Sequence, residues 1–194
     1  MLPDGRAVVE AAAAIGLPLL AAEERDPLRA SSRGFGELIA AALAQGADEL
    51  LLGLGGSATV DGGAGLRDVL TSLPVRAVVL CDVTTRLADA ARLFGPQKGA
   101  SPEDVAVLER RLDEMTELRP YAELPGSGAA GGLGAALAAL GAELVPGADA
   151  VLDLIGFDGY LRGCDLAVTG EGTVDVTTAE GDRKSTRLNS SHRL

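Results

Sequence analysis

Apolar residues recur along this chain in two rhythms, short unbroken runs and helical stripes, with glycine, serine and proline marking the changes between them. Arg6 to Ile15 is alanine-rich and apolar, closes at Gly16 and Pro18, and reads as a strand running into a helix. Ser31 and Ser32 supply N-cap chemistry for a stripe from Glu37 to Gln45, and Gly46 stands where a C-terminal cap belongs. Leu50 to Leu54 is a short buried strand. A helix-like stretch follows Asp61-Gly62-Gly63, and Val75 to Cys81 is the clearest strand. Ser101-Pro102-Glu103-Asp104 opens the longest helical pattern, with Ser as N-cap, Pro at N1 and acids in the first turn, running to about Leu118. Ala129 to Leu140 predicts a helix of small residues ending at Gly141, and Asp165 to Thr169 a last strand. Helices alternating with short apolar strands predict an α/β fold. No repeat and no long linker divides the chain.

Composition narrows the chemistry. With 47% hydrophobic and 23% charged residues among 194, the chain can bury a core. A formal charge of -11 argues against a nucleic-acid surface and against anionic lipid, so an anionic ligand needs a local cradle. No apolar run reaches the roughly 18 to 20 residues of a membrane span, and the opening MLPDGRAVVE has no basic leader, so a cytoplasmic protein is expected. Cys81 and Cys164 lack CxxC spacing and are expected to be buried thiols. The one histidine, His192, lies next to the end, which excludes Ser-His-Asp triads and histidine metal sites in the body and leaves acid-base work to carboxylates. Lysine is scarce: only Lys98 and Lys184.

Three glycine-rich segments carry the candidate chemistry. Gly53 to Gly65, GLGGSATVDGGAG, follows a strand and precedes a helix. Such a loop lets backbone N–H groups approach a phosphate or carboxylate. Ser57 and Thr59 add hydroxyls, and Asp61 adds a carboxylate able to hold Mg²⁺ or accept a proton. Pro125 to Leu137 contains GxGxxG at Gly126, Gly128 and Gly131, but no strand precedes it and no acid closes the unit, so the dinucleotide fingerprint fails. That segment is either an anion site or a close-packing surface. In Thr169 to Asp175, Glu171 and Asp175 emerge after a strand and suggest a metal, the alternative being a solvated acidic turn. FGPQKG, Phe94 to Gly99, holds Lys98 between glycines, either as a mobile cation for a phosphoryl group or as a surface lysine. The Walker A pattern is absent.

Taken in order, GELIAAALAQGA, GLGGSATVDGGAG, CDV, FGPQKGAS, PGSGAAGGLGAAL and TGEG make the stretch from about Arg6 to Gly181 resemble the class I glycerate kinases. The resemblance implies ATP-dependent, Mg²⁺-requiring phosphorylation of D-glycerate, generally to 2-phosphoglycerate, in a two-domain α/β fold with the active site between the domains. On that pattern residues 1–160 are mostly the inserted smaller α/β domain, and 161–181 begin the return into the Rossmann-like domain. Departures are Val60 where Asn is common, Phe35 for a small residue, Thr85-Arg86-Leu87 for Asn-Pro-Leu, Thr173 for Arg, and a shortened stretch between Leu66 and Val75. The family's N-terminal motifs and everything after Gly181 have no counterpart here. Residues 182–194, opening DRKSTRLNSSH, read like a translated sequencing adapter and are expected to be artefactual.

Phosphoryl transfer asks a protein chiefly for positioning and charge neutralisation. Lys98 is the candidate for neutralising phosphoryl charge and Asp61 for orienting or deprotonating the substrate hydroxyl. Gly55, Gly56, Ser57, Thr59, Gly62 and Gly63, with Gly128 and Gly131, are candidates for cradling carboxylate or phosphate. Asp82, Glu171 and Asp175 are candidate metal ligands. The rival reading is a truncated, catalytically inactive ligand-binding fragment; a nicotinamide-dependent oxidoreductase lacks its upstream strand and ribose-binding acid.

Overall fold

The computed structural model describes residues 1–166 and 168, which fall into two compact units, Met1–Val145 and the chain from Pro146 onward. In the first, four parallel strands lie in the order β1 (Arg6–Glu10), β2 (Glu49–Gly53), β3 (Arg76–Leu80) and β4 (Glu143–Val145). The register pairs Val8 with Leu51 and Leu51 with Val78. β2 is central, so Leu50, Leu51 and Leu52 are all buried, as an unbroken apolar run requires. β1 is an edge strand and alternates, with Ala7 and Val9 inward and Val8 exposed.

Helices connect the strands. β1 runs directly into α1 (Ala11–Ile15), as its sequence suggests. α2 (Arg33–Ala44) lays Phe35 and Ile39 into the core. Past it, Gly46 takes φ +84° while its N–H donates to the Leu43 carbonyl and the Ala47 N–H to the Ala42 carbonyl, the expected C-terminal cap. α3 (Ala64–Val69) and α4 (Ala90–Phe94) are short, and α6 (Ala129–Ala139) is buried all round. Leu133 and Leu137 of α6 join the cluster beneath the sheet, whereas Ala135 and Ala136 join a second cluster with Leu87, Leu108, Leu112 and Leu118. A helix apolar on every face suits that sandwiched position.

α5 (Pro102–Asp113) starts as expected: Ser101 Oγ accepts from the Asp104 N–H while Asp104 accepts from the Ser101 N–H, a reciprocal cap. It stops five residues short of Leu118. In an unbroken helix Leu118 would point about 120° away from Leu112. A break at Met115 and a 3-10 segment, Thr116–Tyr121, turn Leu118 back into the core, where it is fully buried. The second unit contributes α7 (Gly147–Leu154) and α8 (Phe157–Leu161). Of the strand expected at 165–169, Asp165, Leu166 and Val168 are described and are not in a strand; Ala167 and Thr169 lie outside the described residues, as do Glu171, Thr173, Asp175 and the tail from 182.

Candidate anion-binding site

At the carboxyl ends of β2 and β3 the first unit holds a cavity of about 420 Å³. Gly55, Gly56 and Ser57 line it after β2, Cys81 and Asp82 after β3, and Lys98 and Ala130 complete the wall used here. Open parallel sheets bind ligands at this end of their strands. A Cβ on Gly55 would meet nothing within 4 Å, so the loop faces open space there. The N–H groups of Gly55, Gly56 and Ala130 donate to no acceptor among the described residues.

Lys98 is neither a mobile loop cation nor a surface lysine. It is 3% exposed, ending a 3-10 turn, Pro96–Lys98, that Gly99 closes at φ +99° with its Cα against the Arg25 backbone. Lys98 Nζ donates to Thr59 O at 2.8 Å and Ser57 Oγ at 3.1 Å, and it lies 5.8 Å from the centre of the Phe94 ring. It makes no ion pair among the described residues. Burial lowers its pKa to about 8, against an opposing pull from the Asp61 charge. Thr59 thus serves through its carbonyl rather than the hydroxyl expected of it; Thr59 Oγ1 is buried without a hydrogen-bond partner among the described residues.

Asp61 is engaged on both oxygens. Oδ2 accepts from the Ser32 N–H and the Ser32 hydroxyl, each at 2.8 Å, and from the Gly65 N–H at 3.2 Å, while Oδ1 accepts from the Gly63 N–H at 3.1 Å. Four donors give this carboxylate the geometry of a structural clamp rather than of a free base. Ser32 sits at the N-cap position of α2 as its sequence suggests, but its side chain does not cap that helix. The hydroxyl instead reaches Asp61 and accepts from the Leu66 N–H at 2.9 Å. Nothing in local sequence flagged that partnership across 29 residues.

The remaining glycines divide by environment. On Gly62 a Cβ would strike Met115, and on Gly63 it would strike Ala136. Gly128 lies against the Arg86 carbonyl and Gly131 against Thr59 and Val60. These four positions are packing contacts. Between the two open alternatives for the 126–132 segment, the geometry favours close packing, since Ala130, Gly131 and Gly132 form a left-handed turn where a helix start was expected. Among the described residues no three His, Cys, Asp or Glu side chains cluster as metal ligands, and Asp82 lines the cavity alone of the three candidates, the other two lying outside them. The thiols also differ from expectation: Cys81 is half-buried with Sγ donating to Val83 O at 3.1 Å, and Cys164 is exposed.

In the first unit a buried cation and open backbone donors stand together at the ends of parallel strands, an arrangement suited to an anionic ligand. The glycerate kinase family model matches residues 1–73 and 68–186, and the chain belongs to that family. It is 39% identical to the glycerate 2-kinase of Escherichia coli K12, covering 92% of this chain and 58% of that protein. It is 38% identical to the glycerate kinase of Bacillus subtilis 168, covering 93% and 59%. A crystal structure assigned as glycerate kinase 2 from Salmonella typhimurium LT2 superposes with a TM-score of 0.80 at 35% identity, over 97% of this chain and 64% of that one. The chain therefore spans just under three fifths of the curated relatives' length. The Escherichia coli match runs over 221 positions but takes in 92% of 194 residues, about 178, so the relative carries extra residues within the span. The two matched stretches of the family model meet at residues 68–73, in the shortened connection between α3 and β3.

Proposed function

We propose that this chain carries the anion-binding part of a kinase that phosphorylates D-glycerate with ATP, yielding phosphoglycerate, with 2-phosphoglycerate as the expected product. The observation that carries the reading is Lys98: a buried ammonium without an ion pair among the described residues, set beside a cavity. Burying a charge is costly unless something compensates it, and a carboxylate or phosphoryl oxygen in the cavity does so. The open N–H groups of Gly55 and Gly56 add hydrogen bonds to the same anion. Asp82 fits as one carboxylate toward Mg²⁺, which usually takes one or two carboxylates beside substrate phosphates; the metal supplies charge neutralisation on the phosphates. Asp61 holds the loop in place. Residues 1–160 form the inserted domain in this reading, with 161–181 leading back to the second, and the protein works in the cytoplasm.

Calorimetric titration of the 194-residue chain with D-glycerate and with MgATP, alongside an ADP-release assay, tests this. Saturable heat that disappears in Lys98→Met supports the site, and ADP release dependent on D-glycerate supports the kinase. Heat without turnover is the outcome for the rival reading, a truncated, catalytically inactive ligand-binding fragment. Absence of heat with both ligands refutes the site.

A further inference from the structure

Ser32 is fully buried at the start of α2, far in sequence from every group that lines the cavity, yet its hydroxyl is one of the most heavily used in the molecule. It donates to Asp61 Oδ2, receives the Leu66 N–H, and its own backbone N–H returns to the same carboxylate oxygen. Asp61 in turn gathers the Gly63 and Gly65 N–H groups, so the starts of α2 and α3 are tied through one carboxylate. The fit is close: a Cβ on Gly65 would collide with Ser31 Oγ and the Arg33 N–H. Two residues before Asp61 is Thr59, whose carbonyl takes Lys98 Nζ, and two further back is Ser57, whose Oγ takes it as well. On its other side the same loop is tied down by the Gly62 N–H donating to the Gly131 carbonyl at 3.0 Å.

We propose that Ser32 is a positioning residue for the Lys98 cation: by clamping Asp61 it fixes the loop whose Ser57 hydroxyl and Thr59 carbonyl hold the ammonium in the cavity wall. The inference deepens the anion-site reading and rests on it only for its purpose, not for its geometry. A hydroxyl is needed because the position must donate to a carboxylate and accept from a backbone N–H at once, which alanine cannot do and which a buried pair tolerates poorly when half-made. The consequence is that α2, which touches no ligand in this reading, sets where the cation sits.

The chain suits a direct test, because its only two lysines, Lys98 and Lys184, give two signals when the lysine ε-carbon alone is ¹³C-labelled. In wild type, added sulfate is expected to shift the Lys98 signal and not that of Lys184. In Ser32→Ala the Lys98 signal is expected to move from its wild-type position before any sulfate is added, and to need at least about fivefold more sulfate for the same response. A Lys98 signal unchanged in Ser32→Ala overturns the proposal, whatever happens to overall stability, because a purely structural role loosens the fold without moving that resonance. If Ser32→Ala does not fold, Ser32→Cys, which nearly keeps the size of the side chain, weakens the hydrogen bond and leaves the Asp61 charge in place, carries the same comparison and the same criterion. Wild-type signals indifferent to sulfate overturn the anion-site reading instead, while the resting position of the Lys98 signal still decides the clamp.

Discussion

The sharpest consequence of the Lys98 environment is a pH dependence of anion binding set well below the ordinary lysine range. Burial lowers the ammonium pKa from 10.5 to about 8. The amine is then about nine-tenths protonated at pH 7 and about one-tenth at pH 9, since each unit of pH is a factor of ten in the ratio. A ligand that requires the charged form therefore loses about tenfold in affinity between those two values. Sulfate is the probe, because it does not titrate in this range. Burial pushes the Cys81 thiol on the same cavity up, which moves its titration away from that of Lys98. Titrations at intervals from about pH 6.5 to 9.5 should show the fall, and Lys98→Met should bind weakly with little dependence on pH. Affinity that is flat to pH 9.5 in wild type would refute the reasoning, because it would mean either an ammonium with its ordinary pKa or a site that does not use it.

The same group bears on stability with the opposite appearance. Because the folded-state pKa lies below the unfolded one, the unfolded chain binds the extra proton between about pH 8 and 10.5, so the burial penalty is fully present below 8 and is relieved as pH rises through that window. The gap in urea-unfolding free energy between wild type and Lys98→Met should change by about 3 kcal/mol across it, and a constant gap would show that the ammonium is not desolvated. Gly131→Ala places a methyl against the Thr59 carbonyl at a φ of +72°, so a loss of about 2 kcal/mol or more in urea unfolding is expected together with weaker sulfate binding. Ala130 holds φ +53°, and Ala130→Gly should raise the unfolding free energy by about 0.5–1 kcal/mol, measured the same way. Ser101→Ala removes the reciprocal cap of α5 and should cost about 1 kcal/mol, with sulfate affinity unchanged.

The shortened connection between α3 and β3 lies at the amino end of the sheet, because α3 carries the chain back from the end of β2 to the start of β3. The cavity lies at the opposite end, after β2 and β3. The overlap of the two matched family stretches, residues 68–73, thus lies away from the strand ends where Gly55, Ser57 and Asp82 stand.

Much of this molecule is written locally. Strand β3, the cap at Ser101 and the glycine at 46 follow from propensity and backbone chemistry within a few residues, and the glycine loop after β2 announces a close backbone approach by composition alone. The environment of Lys98 was not legible in that way. Whether a lysine in a Gly/Pro turn is solvated or buried depends on what packs over it, here Phe94 and the Ser57–Thr59 segment about forty residues earlier. The same holds for Ser32, which looks like any helix cap until Asp61 arrives from 29 residues away. It holds for Gly131 too, whose φ and close approach to Thr59 exist only once two loops are pressed together. Local pattern determines which elements form and where the backbone is free to bend. Desolvation and the choice of partner are properties of the assembled core, and only the tertiary structure decided them.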